Sequence, residues 1–166
     1  MKMTFRDATL EDLPIIVEIY NSTVASRLVT ADLEPVSVES KLGWFHQHNP
    51  DFRPLWIVLD SDKNTVGWVS FQDFYGRPAY QKTAEISIYL DEKYRGKGFG
   101  KKILDLSLEK CPALGIENLL AFIFAHNLAS LTLFEKFGFE LWGNLKNIAE
   151  LDGEKSSLVI LGKSLS

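Results

Sequence analysis

The chain has one cysteine, three histidines, no run of 18 apolar residues and little excess of either charge, with a formal net charge of −4. Each shortage removes a class of protein. A lone thiol, Cys111, cannot build an intrachain disulfide framework and fits a reducing cytoplasm. Without a long apolar run no transmembrane helix is expected. Met1-Lys2-Met3-Thr4 leads into a strand pattern rather than an apolar signal segment. The expected location is therefore the cytoplasm, with no membrane partner. A slightly acidic chain is not a general nucleic-acid binder. His46 and His48 are two apart, so on a helix they would not share a face, and no metal site is expected. Asp60 and Asp62 read as solvated turn residues, and Cys111, just before Pro112, as a packed thiol. No repeat, low-complexity tract or linker interrupts the chain. With 46% hydrophobic and 24% charged residues, its 166 residues are expected to form one globular domain, 1–166.

What the chain does have is the run Arg95-Gly96-Lys97-Gly98-Phe99-Gly100. It follows an alternating apolar stretch, Thr83 to Leu90, and precedes a pattern in which Phe99, Ile103, Leu106 and Lys110 share a helical face. A glycine turn between strand and helix can aim backbone N–H groups and the helix dipole at a phosphate. Arg95, Lys97, Lys101 and Lys102 add positive charge. The spacing does not fit G-x-x-x-x-G-K-[ST], and no Ser or Thr follows the lysines. Nor does it fit a dinucleotide fingerprint, which belongs early in a βαβ unit. It does fit Arg-x-x-Gly-x-Gly, the pyrophosphate loop of acetyl-CoA-dependent acyltransferases. A plain surface turn is the alternative.

Periodicity and turn chemistry predict a strand over 3–8 and an amphipathic helix over 10–25, with Thr9 and Asp12 as its capping pair. A helix over 37–48 follows, then strands over 55–59 and 65–74 around the turn Ser61-Asp62-Lys63-Asn64. Next come the strand 83–90, a helix over 98–112 and a buried strand over 117–125. Asn127 caps a helix to about 137, which Gly138 ends, and two strands over 139–150 and 156–163 flank Asp152-Gly153. This order is an α/β layer arrangement.

The chain resembles the GNAT superfamily of N-acetyltransferases, and within it the phosphinothricin/methionine sulfone group. The likeness runs from Phe5 to about Gly143. It is carried by Phe5-Arg6-Asp7-Ala8-Thr9, Asp12, Ile19-Tyr20-Asn21, Glu34-Pro35, Trp44-Phe45 and Thr83 to Tyr89. Arg95 to Gly100, Leu114-Gly115, Asn127 to Ser130 and Glu135-Lys136-Phe137-Gly138-Phe139 complete it. The resemblance implies an α+β GNAT fold: a mixed, mostly antiparallel sheet, helices on both faces, and parallel strands four and five splayed into a cofactor slot. It implies acetyl-CoA as acetyl donor, CoA as product and a small-molecule amine as acceptor, with a homodimer common in the family.

Site residues follow from the same resemblance. The strand-four end, Ile88, Tyr89 and Leu90, would pair with pantetheine like an added strand, and the Leu90 N–H is the candidate oxyanion donor. Arg95, Gly96, Lys97, Gly98, Phe99, Gly100 and Lys101 would hold the pyrophosphate. Asn127 matches a cofactor-contacting asparagine and also reads as a helix N-cap. Glu85, the carboxylate inside an apolar strand, matches the water-mediated catalytic base, and period two puts it on one face with Ser87 and Tyr89. Substrate contacts are expected from Phe74, Tyr75, Gly76, Arg77, Glu85, Ile86 and Ser87, with Arg77 as a carboxylate clamp. Tyr80 and Trp68 could extend the aromatic wall, although Trp68 reads better as core.

The chain departs from the family's pattern in three places. Phe134 stands where the superfamily often has a tyrosine or histidine acid; Tyr89, Tyr80 and His126 are the alternatives. Thr30-Ala31-Asp32-Leu33 departs from the group's substrate-side segment, and Gly153-Glu154-Lys155-Ser156-Ser157 from its C-terminal run. Acetylation of a protein or peptide, or a non-catalytic CoA-binding sensor, stay open as other readings.

Overall fold

The computed structural model describes residues 2–165; Met1 and Ser166, the ends of the expected domain, lie outside the described residues. Strands β1 (Thr4–Asp7), β2 (Leu55–Leu59), β3 (Thr65–Asp73), β4 (Thr83–Leu90), β5 (Asn118–Phe124), β6 (Glu140–Leu151) and β7 (Glu154–Ser164) form one sheet. Their order is β1-β2-β3-β4-β5-β7-β6, and β4–β5 is its one parallel pair among the described residues. This is the mixed, mostly antiparallel GNAT architecture that the resemblance implies.

Helix α1 (Leu13–Val24) lies on one face, after a 3-10 turn at Leu10–Asp12. The turn forms where the capping pair was expected. The Thr9 N–H donates to Asp12 at 2.7 Å, and Arg6 grips both Asp12 oxygens at 2.8 Å. Pro14 then sits at the helix start, where its missing N–H leaves no bond unmade. The α1 face buries Ile16 and Ile19 against Leu55, Ile57 and Trp68. Helices α3 (Phe99–Lys110) and α4 (Leu128–Lys136) cover the other face, where Ile103, Leu104 and Phe134 meet Trp56, Val58, Ala84 and Ile86. The period-two split of β2 and β4 between two cores is therefore complete.

Helix α2 is shorter than the spacing predicts: a 3-10 turn at Glu39–Lys41 and five residues, Leu42–His46, stand where 37–48 was expected. The His48 ring turns back, with Nδ1 2.9 Å from the Trp44 carbonyl and 3.3 Å from that of Phe45. That side chain takes helix-terminal acceptors which further turns would have used. The β6–β7 hairpin closes through Asp152 (φ +53°) and Gly153 (φ +84°), the pair of positive dihedrals a tight hairpin needs. β7 lies inside the sheet and β6 is its edge, so Val159 and Leu161 are core while Leu141 and Ile148 are exposed.

Candidate active site

β4 and β5 pair only at Thr83–Asn118, Ala84–Leu119 and Glu85–Leu120, and then diverge. The unpaired half of β4 faces the opening. The Asp91 N–H donates to Val66 O at 2.8 Å, which makes Gly67–Leu90 a non-hydrogen-bonded rung. Alternation makes Val69–Ile88 the next such rung. The N–H and C=O groups of Ile88 and Leu90 therefore point away from β3 and across the gap. Arg95 takes the Leu90 carbonyl with Nε at 3.1 Å and Nη2 at 3.0 Å, and Nη2 also reaches Ser22 Oγ at 2.6 Å. Arg95 thus ties the strand end to α1, and the Leu90 N–H, turned away from β3, meets no partner among the described residues.

Gly67 permits this rung. A Cβ on it would press on the Tyr89 carbonyl oxygen and stand 3.1 Å from Leu90 Cα. Position 67 also follows a bulge, because Val58 faces Gly67 while Leu59 faces Thr65, leaving Val66 as the extra residue.

The glycine turn delivers the chain into α3. Gly98 caps the helix at φ +84° with nothing within 4 Å of where a Cβ would be, so the turn is uncrowded there. Lys101 and Lys102 border the same hollow as Gly98. An uncrowded turn, a helix N-terminus and two lysines suit a pyrophosphate. Asn127 caps α4, accepting from the Ser130 N–H at 3.2 Å, while its Nδ2 donates to Leu28 O at 3.2 Å. It links α4 to the 28–35 loop.

A cavity of about 240 Å³ opens on the α1 side of β4. Three cross-strand rungs form its floor: Trp68–Tyr89, Ser70–Ser87 and Gln72–Glu85. Trp68 stacks on Tyr89 at 4.5 Å, and Trp44 stands edge-on to Trp68 at 5.5 Å. Ile16, Val17 and Tyr20 from α1, with Val36 and Lys41, complete the wall. The Glu85 carboxylate makes no hydrogen bond or ion pair among the described residues. Burial holds its carboxyl above the usual range, as suits a group that takes up a proton.

Two polar groups here have fixed orientations. His48 Nε2 lies 2.7 Å from Ser70 Oγ. Carbonyls only accept, so Nδ1 carries the His48 proton toward Trp44, and burial keeps the ring neutral. Nε2 must then accept from the Ser70 hydroxyl, whose lone pairs are left for the cavity. The Tyr20 hydroxyl bonds Thr30 and Asp32. Burial first, then Asp32, pushes Tyr20 up to about 12, and burial raises Tyr89 as well. Both phenols stay protonated at neutral pH.

The structure brings Glu85, Ser87 and Tyr89 together at this cavity, with Ile88 and Leu90 turned to the β4–β5 gap. Ile86 lies in the core on the other face. Phe74 stacks on Tyr75 at 4.6 Å and meets Tyr80 edge-on at 5.5 Å. Gly76 and Arg77 border a separate hollow with Phe52 and Asp73. Buried Arg53 underpins that loop, bonding Asp73 and the Gln81 carbonyl at 2.7 Å each. Phe134 is core, edge-on to Phe139 at 5.0 Å. His126 Nε2 is engaged with Arg27 O at 2.8 Å. Burial pushes the Cys111 thiol up to about 12, as for a packed side chain. Trp44, Lys41, Gln72 and the His48–Ser70 pair were not expected at the cavity. They come from separate elements, which no local pattern brings together.

Residues 2–140 match the acetyltransferase (GNAT) domain model. The chain is 54% identical over 164 residues to YwnH of Bacillus subtilis, a protein provisionally named as a phosphinothricin acetyltransferase, covering 99% of this chain and 100% of that one. It is 28% identical to the L-methionine sulfoximine/L-methionine sulfone acetyltransferase of Pseudomonas aeruginosa, covering 99% and 96%. Among solved structures, a GNAT superfamily phosphinothricin acetyltransferase from Sinorhizobium meliloti in complex with acetyl-CoA superposes with a TM-score of 0.91. Identity to it is 31%, covering 100% of this chain and 90% of that one.

Proposed function

The chain belongs to the GNAT family of acetyltransferases, and from that premise we propose that it acetylates the primary amine of a small amino-acid-like acceptor held in the cavity over Glu85. Acetyl-CoA is the co-substrate and supplies the acetyl group as a thioester. The open amides of Ile88 and Leu90 and the unobstructed Gly98 turn fit its pantetheine and pyrophosphate. Gly96 to Lys101 hold the pyrophosphate, and Asn127 lies beside the cofactor.

In this reading Glu85 takes the amine proton across one water. The Leu90 N–H donates to the acyl oxygen as charge builds there, the kind of preorganised donor worth about 2.7–4 kcal/mol in other enzymes. Phe134 has no proton to give the leaving thiolate; water protonates it. Gln72 and Ser87 flank Glu85 on the cavity floor and position the acceptor. The Phe74–Arg77 segment forms an outer contact for its distal end.

One observation carries the reading: the partnerless Glu85 carboxylate faces a walled cavity of about 240 Å³. That is smaller than the ~300–1,000 Å³ of drug-sized pockets, and it suits a small acceptor better than a protein tail. The test is CoA release from acetyl-CoA with a panel of amino acids, sulfones, polyamines and short peptides. Turnover with small amino acids supports the reading; turnover with peptides alone overturns it.

The enzyme works as one domain, in the cytoplasm, where Cys111 stays reduced. It pairs as a homodimer through edge strand β6, whose Leu141, Trp142, Leu145 and Ile148 are exposed.

A further inference from the structure

The cavity over Glu85 has one cationic side chain in its lining, Lys41. Its Nζ hangs 5.2 Å from the Tyr20 ring centroid and 6.0 Å from that of Trp44. It forms no ion pair among the described residues; the four present join Arg6–Asp12, Arg27–Asp152, Arg53–Asp73 and Lys82–Glu117. Asp32, the acid attached to Tyr20, does not line the cavity. The cavity thus holds one carboxylate and one ammonium, neither paired, on different walls: Glu85 on the β4 floor and Lys41 on the turn before α2.

A site with one unpaired charge of each sign is complementary to a ligand that carries both. Two partly desolvated charges that do not satisfy each other are costly in the empty protein and favourable once each meets its opposite. The rings beneath Lys41 keep its ammonium at the wall through cation–π contact. A carboxylate attracts it more strongly, and the flexible four-carbon stem allows it to turn inward.

We infer that Lys41 is the anion-reading residue of the acceptor site: the amine of the amino-acid-like acceptor meets Glu85 and its acid meets Lys41. This rests on the reading that the acceptor occupies this cavity. It shifts recognition of the acid from Arg77, which borders a different hollow, to Lys41. It also excludes polyamines, which would place a second cation against Lys41.

The probes are L-methionine sulfone and its carboxamide, which are near in shape and differ in the negative charge at the acid. Binding is read first, without acetyl-CoA, by quenching of Trp44 and Trp68 fluorescence. Acetylation of the same pair is read second. The wild-type protein is expected to bind the acid at least ~10-fold more tightly than the amide, about 1.4 kcal/mol. Lys41→Met is expected to lose that preference, raising KM for the acid about tenfold with kcat held within about threefold, and Lys41→Arg to restore it. Equal binding of the two probes, no binding of either, or an unchanged preference in Lys41→Met overturns the inference. If the preference appears in binding but no acetyl transfer occurs, the inference stands and the proposed reaction fails.

Discussion

Gly67→Ala is the substitution with the most to reveal, since it adds one methyl group that meets only backbone. The new Cβ would lie 3.1 Å from Leu90 Cα and 3.2 Å from the Tyr89 carbonyl carbon, and would press still harder on the carbonyl oxygen. All three are backbone atoms, so no side chain can swing aside. The β3–β4 rung must part by about 1 Å, the scale of misplacement that costs ~10²-fold in rate. Overpacking of this kind costs roughly 1–3 kcal/mol. At roughly 2–4 °C per kcal/mol for a chain of this size, Tm should fall by about 2–12 °C. Because the displaced atoms carry the Leu90 N–H, kcat should fall more than acetyl-CoA affinity. Thermal unfolding, turnover and an acetyl-CoA titration together decide it. A Gly67→Ala protein with wild-type Tm and kcat would refute the claim that close approach at this rung sets the β4 end.

Three further outcomes follow. Asp12→Ala removes the Thr9 cap and frees Arg6, so stability should drop by about 1–2 kcal/mol with activity retained, read by urea denaturation. His48 is held neutral by burial, so the unfolded chain binds its proton more readily. The stability due to His48 is present above its unfolded pKa of about 6.5 and is lost as pH falls through the lower folded value. Melting curves from pH 7 to 5 should therefore fall more steeply for wild type than for His48→Gln, and parallel curves would contradict this. Phe134→Tyr places a hydroxyl in the core beside Phe139, so Tm should drop with no gain in kcat; a faster enzyme would show that this ring edge reaches the thiolate.

Much of the fold was legible because short-range chemistry fixes it. The Thr9–Asp12 box, the Asn127 cap, the Gly138 stop and the Asp152-Gly153 turn each act within a few residues. The alternation Thr83 to Leu90 placed Glu85, Ser87 and Tyr89 on one face, as observed. The second helix was over-read because His48, at its expected end, turns its ring back onto the Trp44 and Phe45 carbonyls, and no periodicity signals that. The cavity walls were harder to read. Lys41, Trp44 and Tyr20 meet Glu85 only through the packing of α1 and α2 across the sheet, and Ser70 is defined by a histidine 22 residues away. Arg77 was a natural anion clamp by charge, but Arg53 and Asp73 hold its loop around a different hollow.

The central claim is that Glu85 is the base, and Glu85→Gln tests it most directly. The amide keeps the side-chain shape and removes the proton acceptor. Burial raises the Glu85 pKa, so its ionised form weighs against folding, and this effect grows as pH rises through that pKa. The variant should therefore be at least as stable as wild type at pH 8. Its kcat should fall by roughly 10²–10⁴-fold with acetyl-CoA affinity unchanged. A folded Glu85→Gln protein with wild-type kcat would contradict the account.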